Sequence, residues 1–300
     1  MTPPRVCAIL VNYNAGLELR RALQSIADEL TGIAWEAVVV DNGSSDGSTA
    51  IVEELAPQAR LLRNSDNVGF ARGMNQGLAA TTAPRVLIMN PDCHLVSGAL
   101  AAMSTELDRS PGCALVGPRI LDPDGSLQGS ARGDPDMLTG LFGRSTLLRR
   151  MFPALAVSRR NVVGSVGPDR DSATVDWLSG ACMLARRDAL ESVRGFDERY
   201  FLYWEDADLC RRLRAHGYHV RYVPNATAVH AVGQSSKTVR ARAIRAFHDS
   251  AYLYYETHVA PDSGVKRWLA RVLLSLRCWL LLRFSVGESS RPHSATALPF

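Results

Sequence analysis

The chain has 300 residues, 46% apolar and 21% charged. That is ordinary globular composition, which excludes a disordered polymer and leaves room for one large α/β domain or two small ones. The formal net charge of +4 is too small to imply a nucleic-acid partner, and none is expected. Six cysteines include no Cys-x-x-Cys pair, so buried thiols in a reducing compartment are expected rather than a zinc site or disulfides.

In chain order, Thr2-Pro3-Pro4-Arg5 leads straight into an apolar run without a basic-then-apolar leader, so a cytoplasmic location is expected. Residues 6–11 have the length and continuity of a buried strand, and 16–30 have a helical period. The pattern then gives a strand over 37–40, a helix over 45–55, a short strand at 60–62, a helix over 69–80, a strand over 86–89 and a helix over 97–107. Strands alternating with helices predict right-handed βαβ units and a mainly parallel sheet flanked by helices. Residues of about 122–171 are irregular and glycine-rich, with a turn signal at Asp122-Pro123-Asp124-Gly125, and read as a mobile insertion facing the substrate. Strands near 175–177, 181–185, 220–223 and 228–230 follow, with helices over about 205–216 and 238–256.

Ligands on such sheets gather at the carboxyl ends of the strands. The polar residues there are Asn12-Tyr13-Asn14, Asp41-Asn42-Gly43 and Asn90-Pro91-Asp92. Asp41 suits contact with a base or ribose, or else opens a turn in which Ser45 or Asp46 caps the next helix. The stretch Asn64 to Gly77 is denser in Asn and Gly than a helix start needs. Its Gly73 and Gly77 share a helical face that permits either ligand approach or close packing, and Arg72 is within the same turn to meet a phosphate. Asp92 suits Mg²⁺ or Mn²⁺, which take oxygen ligands along with substrate phosphates, and His94 is a candidate helper. In Glu205-Asp206-Ala207-Asp208, helical spacing groups Asp206 with Leu209, Cys210 and Leu213. An inward Asp206 is therefore expected, serving as a general base or paired to a buried arginine, with Glu205 and Asp208 solvated or paired to Arg212. His230 ends an apolar stretch, as a structural residue or a metal ligand.

Taken in order, Val11-Asn12-Tyr13-Asn14, Asp41 to Ser48, Asn67 to Asn75, Asn90-Pro91-Asp92, Trp177 to Met183, Gly195-Phe196-Asp197-Glu198, Trp204 to Arg212 and the His230…Gly233…Ser235 segment resemble family 2 glycosyltransferases, in particular bacterial rhamnosyltransferases and related cell-envelope enzymes. The resemblance covers roughly residues 5–236. It implies a GT-A fold and an inverting transfer from a nucleotide-diphosphate sugar to a lipid-linked saccharide or polysaccharide acceptor. Asp206 would be the catalytic base, and Asp92 with His230 would hold a divalent metal, Mn²⁺ or Mg²⁺. Asn12, Asn14, Asp41, Asn67, Arg72, Asn75, Asn90 and Asp92 would line the donor, and Trp177, Ser179, Gly180, Trp204 and Glu205 the acceptor. The second position of an Asp-x-Asp motif is here His94. The rival reading is a non-catalytic nucleotide-sugar-binding or scaffold protein with a degenerate GT-A site.

This divides the chain into a glycosyltransferase domain over 1–258, a basic amphipathic helix over 259–290 and a flexible tail over 291–300. Between Gly264 and Gly287 there is no acidic residue, and arginines break the apolar runs to five residues, too short to span a bilayer. Trp268, Leu269, Val272, Leu276 and Trp279 share one side, so the helix is expected at the inner surface of the plasma membrane, or else docked on the protein's own core or at a dimer contact. Nothing in the sequence sets an oligomeric state.

Overall fold

The computed structural model describes residues 5–55, 59–135, 171–231 and 240–285. β1 (Val6–Asn12), β2 (Trp35–Asp41), β3 (Ala59–Arg63) and β4 (Arg85–Met89) form one half of a nine-stranded sheet, linked by α1 (Leu17–Glu29), α2 (Ser48–Leu55) and α3 (Phe70–Ala79). All seven residues of β1 are buried, as a strand covered on both faces requires. The other half holds β5 (Cys93–Leu95), β6 (Cys113–Leu121), β8 (Ala173–Thr174), β10 (Cys182–Arg186) and β11 (His219–His230), and β7 (Ala131–Arg132) pairs separately with β9 (Trp177–Leu178). Helices α4 (Ala99–Arg109), α5 (Arg187–Ser192), α6 (Glu205–Ala215), α7 (Arg240–Tyr254) and α8 (Gly264–Ser285) complete the described elements, with a π-helical turn at Tyr255–Val259.

The sheet order is β3-β2-β1-β4-β10-β6-β11-β5, with β8 on β11. β1, β2, β3 and β4 run parallel, and β10 lies antiparallel between β4 and β6. β6 and β11 run parallel to each other, while β5 and β8 run against β11. The expected mainly parallel sheet is present, reversed at β10, β5 and β8.

Several expectations need correction. β6 is central and buried, although Gly117-Pro118 interrupts its apolar run; its neighbours supply the burial that the local pattern obscures. The strands expected at 220–223 and 228–230 are one strand, β11, whose register against β6 shifts between Val223 and Thr227, a bulge that absorbs Pro224. Residues 122–135 are ordered as a hairpin and β7; the remainder of the expected insertion, 136–170, and the 233–236 segment lie outside the described residues, as does the tail.

The glycine face of α3 is a packing face. A Cβ at Gly77 would sit 2.3 Å from Ile9 Cγ2, and one at Gly73 2.9 Å from Val11 Cγ2, so these glycines let α3 lie directly on β1. α8 packs Leu274 against Phe247, Ala251 and Tyr254 of α7 and Ala270 against Tyr255 and Ala260, leaving Trp268 (66%) and Trp279 (54%) exposed beside Val265, Leu269, Val272 and Leu276. No helix among the described residues is long and apolar enough to cross a membrane. All six cysteines are free, five of them buried.

Candidate active site

Three strand ends meet at one edge of the sheet. β1 and β2 pair in register so that Asn12 lies beside Asp41, and Asn12 Nδ2 donates to Asp41 Oδ1 at 2.8 Å, Ser44 Oγ at 3.1 Å and Ser48 Oγ at 2.8 Å. Asn12 is fully buried, so it holds Asp41 and the following turn rather than lining a donor directly. Asp41 Oδ2 accepts from the Ser44 amide at 3.0 Å. Asn14, in the left-handed region (φ 53°), accepts through Oδ1 from the Ser45 amide at 2.8 Å. Asp46 caps α2, accepting from the Ser48 amide at 3.0 Å and from Gly16 N–H at 2.8 Å. These hydrogen bonds hold its carboxyl below the ordinary range against a partial burial that pushes the other way.

The Asn-rich segment is largely spent on itself. Asn67 Oδ1 accepts from Gly69 N–H at 3.0 Å and from Asn42 Nδ2 at 3.3 Å. Asn75 bridges to the loop before α6, donating to Phe196 O at 2.9 Å and accepting from Phe196 N–H at 2.9 Å. Both are expected at the donor, and here their side chains fasten loops by bonding backbone groups that need a partner. Arg72 is exposed, with Glu198 3.9 Å away.

At the end of β4, Asp92 is 7% exposed and its Oδ1 lies 3.2 Å from His230 Nε2 at the end of β11. Asn90 Nδ2 is 3.3 Å from the same nitrogen, and the Ala231 amide donates to Asp92 O at 2.9 Å. A carboxylate oxygen suits Mn²⁺ or Mg²⁺, and an imidazole nitrogen beside it favours the softer Mn²⁺ of the two; adjacent donors around an octahedral ion with bonds of about 2.1 Å stand about 3 Å apart. The pair therefore fits two ligand positions of such an ion. Among the described residues no cluster of three His, Cys, Asp or Glu side chains forms a larger set; His94 lies on β5, paired with Val229 of β11.

The base candidate reaches this edge from α6. Asp206 Oδ2 accepts from Gly180 N–H at 2.8 Å and Oδ1 from Ala207 N–H at 2.8 Å. Gly180 lets the two approach closely: a Cβ would stand 3.3 Å from Asp206 Cβ. One residue on, Ala181 O accepts from the Asn90 amide at 2.9 Å. Residues 180 and 181 thus tie the base to the Asn90-Pro91-Asp92 turn. Ser179 is fastened to the same crossing, its amide donating to Ser130 O at 2.8 Å. Burial raises the Asp206 pKa, opposed by the Gly180 and Ala207 amides, the nearby Trp177 indole (which closes no hydrogen bond of ordinary geometry) and the Arg132 charge.

The orientation of this acidic cluster differs from the helical-wheel expectation. Asp206 is only part-buried, whereas Glu205 is 6% and Asp208 1% exposed. α6 is covered by α7 and the π-helical turn on the side expected to be solvent. There Asp208 takes Arg212 Nε at 2.7 Å, the expected ion pair, and His258 Nε2 at 2.6 Å. Among the described residues Glu205 Oε2 has no hydrogen-bond partner, and burial beside Asp206 pushes its pKa well up. Just before α6, Tyr203 and Trp204 are both left-handed (φ 69° each), a costly backbone for aromatic residues. Trp204 stacks on Trp177 (centroids 6.4 Å, interplanar angle 15°) and packs on Phe247 and Tyr254. Arg132 lies 5.0 Å over the Trp177 ring. The sequence reading missed Arg132, Gln128, Phe247, Tyr254 and His258, which no motif marks because distant segments bring them in.

A family model described as Glycosyl transferase family 2 matches residues 7–194, and another, Glycosyl transferase family group 2, matches 148–287. The N-acetylglucosaminyl-diphospho-decaprenol L-rhamnosyltransferase of Mycobacterium tuberculosis is 33% identical over 299 residues, 94% of each chain. The crystal structure of GalNAc-T7 with UDP, GalNAc and Mn²⁺ matches with a TM-score of 0.59 at 13% identity, covering 95% of this chain and 58% of that longer one. The Pyrobaculum calidifontis mannosyltransferase PcManGT in complex with GDP-Man and Mn²⁺ matches with a TM-score of 0.54 at 19% identity, covering 97% of this chain and 82% of that one. The strand-end motifs, the GT-A sheet and a matched family segment that runs from β1 past the crossing at Gly180 agree: the chain belongs to glycosyl transferase family 2 and is a nucleotide-sugar glycosyltransferase.

Proposed function

We propose that the protein moves a deoxysugar, rhamnose favoured, from a nucleotide-diphosphate donor to a lipid-linked saccharide acceptor, inverting the anomeric centre, in bacterial cell-envelope glycan synthesis. The observation that carries this is the crossing at residues 180 and 181, which joins Asp206 to the turn bearing Asp92. A base and a phosphate-side acid are thereby tied to one strand end. The relative from Mycobacterium tuberculosis, named for a lipid-diphosphate acceptor and L-rhamnose transfer, supports the choice of substrates.

In this reading Asp41, with Asn14, receives the nucleoside, and Arg72 and Asn90 lie toward the diphosphate. Asp92 and His230 hold a divalent cation, Mn²⁺ or Mg²⁺, which when bound supplies positive charge against the charge that builds on the departing diphosphate. Trp177, Ser179, Gly180, Trp204 and Glu205 form the acceptor side. The acceptor hydroxyl bonds to the anomeric carbon as the bond to the diphosphate oxygen breaks on the opposite face, and its proton passes to Asp206. A carboxylate pushed up by burial is the stronger base for that transfer. Its two amide hydrogen bonds fix the aim of the carboxylate while leaving each oxygen a further lone pair. The exposed apolar side of α8, with its tryptophans and flanking basic residues, would rest on an anionic inner membrane surface, where a lipid-linked acceptor is presented.

The deciding experiment is a melting-temperature panel of dTDP, UDP and GDP and their sugars, each with and without Mn²⁺ or Mg²⁺. A ligand at about a hundred times its dissociation constant adds roughly 2.7 kcal/mol. A metal-dependent shift with one nucleotide identifies the donor. A cooperative melt that no nucleotide moves would sink the donor-site reading.

A further inference from the structure

Gln128 lies in none of the motifs that mark the site, yet it is buried between β6 and β7 and touches His230 twice. Its orientation is forced by its partners. Nε2 stands 2.7 Å from Asp122 Oδ1 and 2.8 Å from the His230 main-chain oxygen, and both of these only accept. The amide NH₂ must face them. Oε1 is left facing His230 Nδ1 at 3.1 Å, and an amide oxygen there requires the proton to be on Nδ1. His230 Nε2 is then the nitrogen turned to Asp92 Oδ1, 3.2 Å away.

Asp122 is fixed in turn. Its amide donates to Ser126 O at 2.7 Å, and its Oδ2 accepts from Ser126 Oγ at 3.2 Å. The Gln128 amide donates to Ile120 O at 2.9 Å, so the turn and its return strand hold Gln128 at one distance from β11. The line Asp122, Gln128, His230 runs from a carboxylate through an amide to an imidazole. Such chains orient a ring and fix its tautomer.

We propose that Gln128, held by Asp122 in the 122–128 hairpin, is a positioning residue that fixes the ring and tautomer of His230 so that Nε2 and Asp92 face a divalent cation together. This rests on the reading of Asp92 and His230 as cation ligands. The hairpin, which the sequence offers only as a turn, becomes a strut of the cation site.

The test uses the full chain, histidine-labelled with ¹⁵N, and Mn²⁺ as probe, titrated by electron paramagnetic resonance with UDP, dTDP or GDP present. In the wild type, long-range proton–nitrogen correlation should show His230 with its proton on Nδ1. Gln128→Leu should weaken Mn²⁺ binding by about 10- to 100-fold in protein that still melts cooperatively. A purely structural role would lower the melting temperature and leave the Mn²⁺ affinity of the folded variant unchanged; that result overturns the proposal. So does a wild-type His230 with Nδ1 unprotonated, a measurement that stands even if the variant fails to fold. Wild-type protein that binds no Mn²⁺ with any of the nucleotides would overturn the cation reading itself, and is told apart from the other outcomes because it precedes any variant.

Discussion

The two halves of the sheet build their parts of the site differently. At the ends of β1 and β2, the candidates meet partners through strand pairing and the turns that follow: Asp41 meets Ser44, Asn14 meets Ser45, and Asn12 meets Asp41. From β6 to α8, partners are brought together by the docking of hairpin, loop and helix rather than by strand pairing: Gln128 with His230, Gly180 with Asp206, Asp208 with His258, Trp177 with Trp204. The first half is a set of local turns on a rigid parallel sheet, so its chemistry is legible as motifs. The second half depends on how helices and the hairpin dock, so each of its polar side chains relies on a distant neighbour for its aim.

The largest expected effect breaks the second half at its centre. Asp206→Asn should lower transfer by about 10²- to 10⁴-fold while leaving nucleotide binding close to wild type, read by turnover beside the nucleotide-induced melting shift. Loss of donor affinity in step with activity would put Asp206 in the donor site instead.

The first half breaks through packing rather than chemistry. Gly77→Val drives methyl groups into Ile9 on β1. Overpacking of this kind costs about 1–3 kcal/mol, so denaturant unfolding should show that loss with an unchanged slope, and the nucleotide-induced shift should survive in whatever remains folded.

Trp268→Ala and Trp279→Ala sharpen the comparison at the chain's far end. Burying about 60 Å² of an indole at about 25 cal/mol per Å² is worth about 1.5 kcal/mol. Each substitution should therefore weaken binding to anionic vesicles about tenfold and leave transfer to a detergent-dispersed acceptor unchanged. Wild-type protein that ignores such vesicles at low salt would remove the membrane-surface assignment of α8.

The smallest effect concerns Glu205, whose pKa burial beside Asp206 raises. A carboxyl raised in the folded state contributes stability at pH below its unfolded value, and that contribution is lost as pH rises through the folded value. Glu205→Gln should therefore flatten the decline in melting temperature on the alkaline side. An unchanged pH profile would mean that the carboxyl is not held neutral by the fold. Asp206 titrates in the same direction, so transfer, which needs the carboxylate, should fall as pH drops through its raised pKa.

The sequence by itself determined the strand–helix alternation, the polar strand ends and the acidic cluster at the head of α6. These follow from periodicity and from the rule that ligands meet parallel strands at their carboxyl ends, both of which act over a few residues. It also left open whether Gly73 and Gly77 admit a ligand or pack, and only the lie of α3 on β1 decided for packing. Tertiary structure alone decided that Glu205 and Asp208 are buried while Asp206 is only part-buried. A helical wheel sorts faces but does not say which face another element covers, and here α7 and the π-helical turn bury Asp208 on the side expected to be solvent. It alone placed β6 in the centre of the sheet despite Gly117-Pro118, and it alone brought Gln128 to His230. Hydrogen bonds reach about 3 Å in space with no regard to sequence separation, so a partner 102 residues away leaves no trace in any local window.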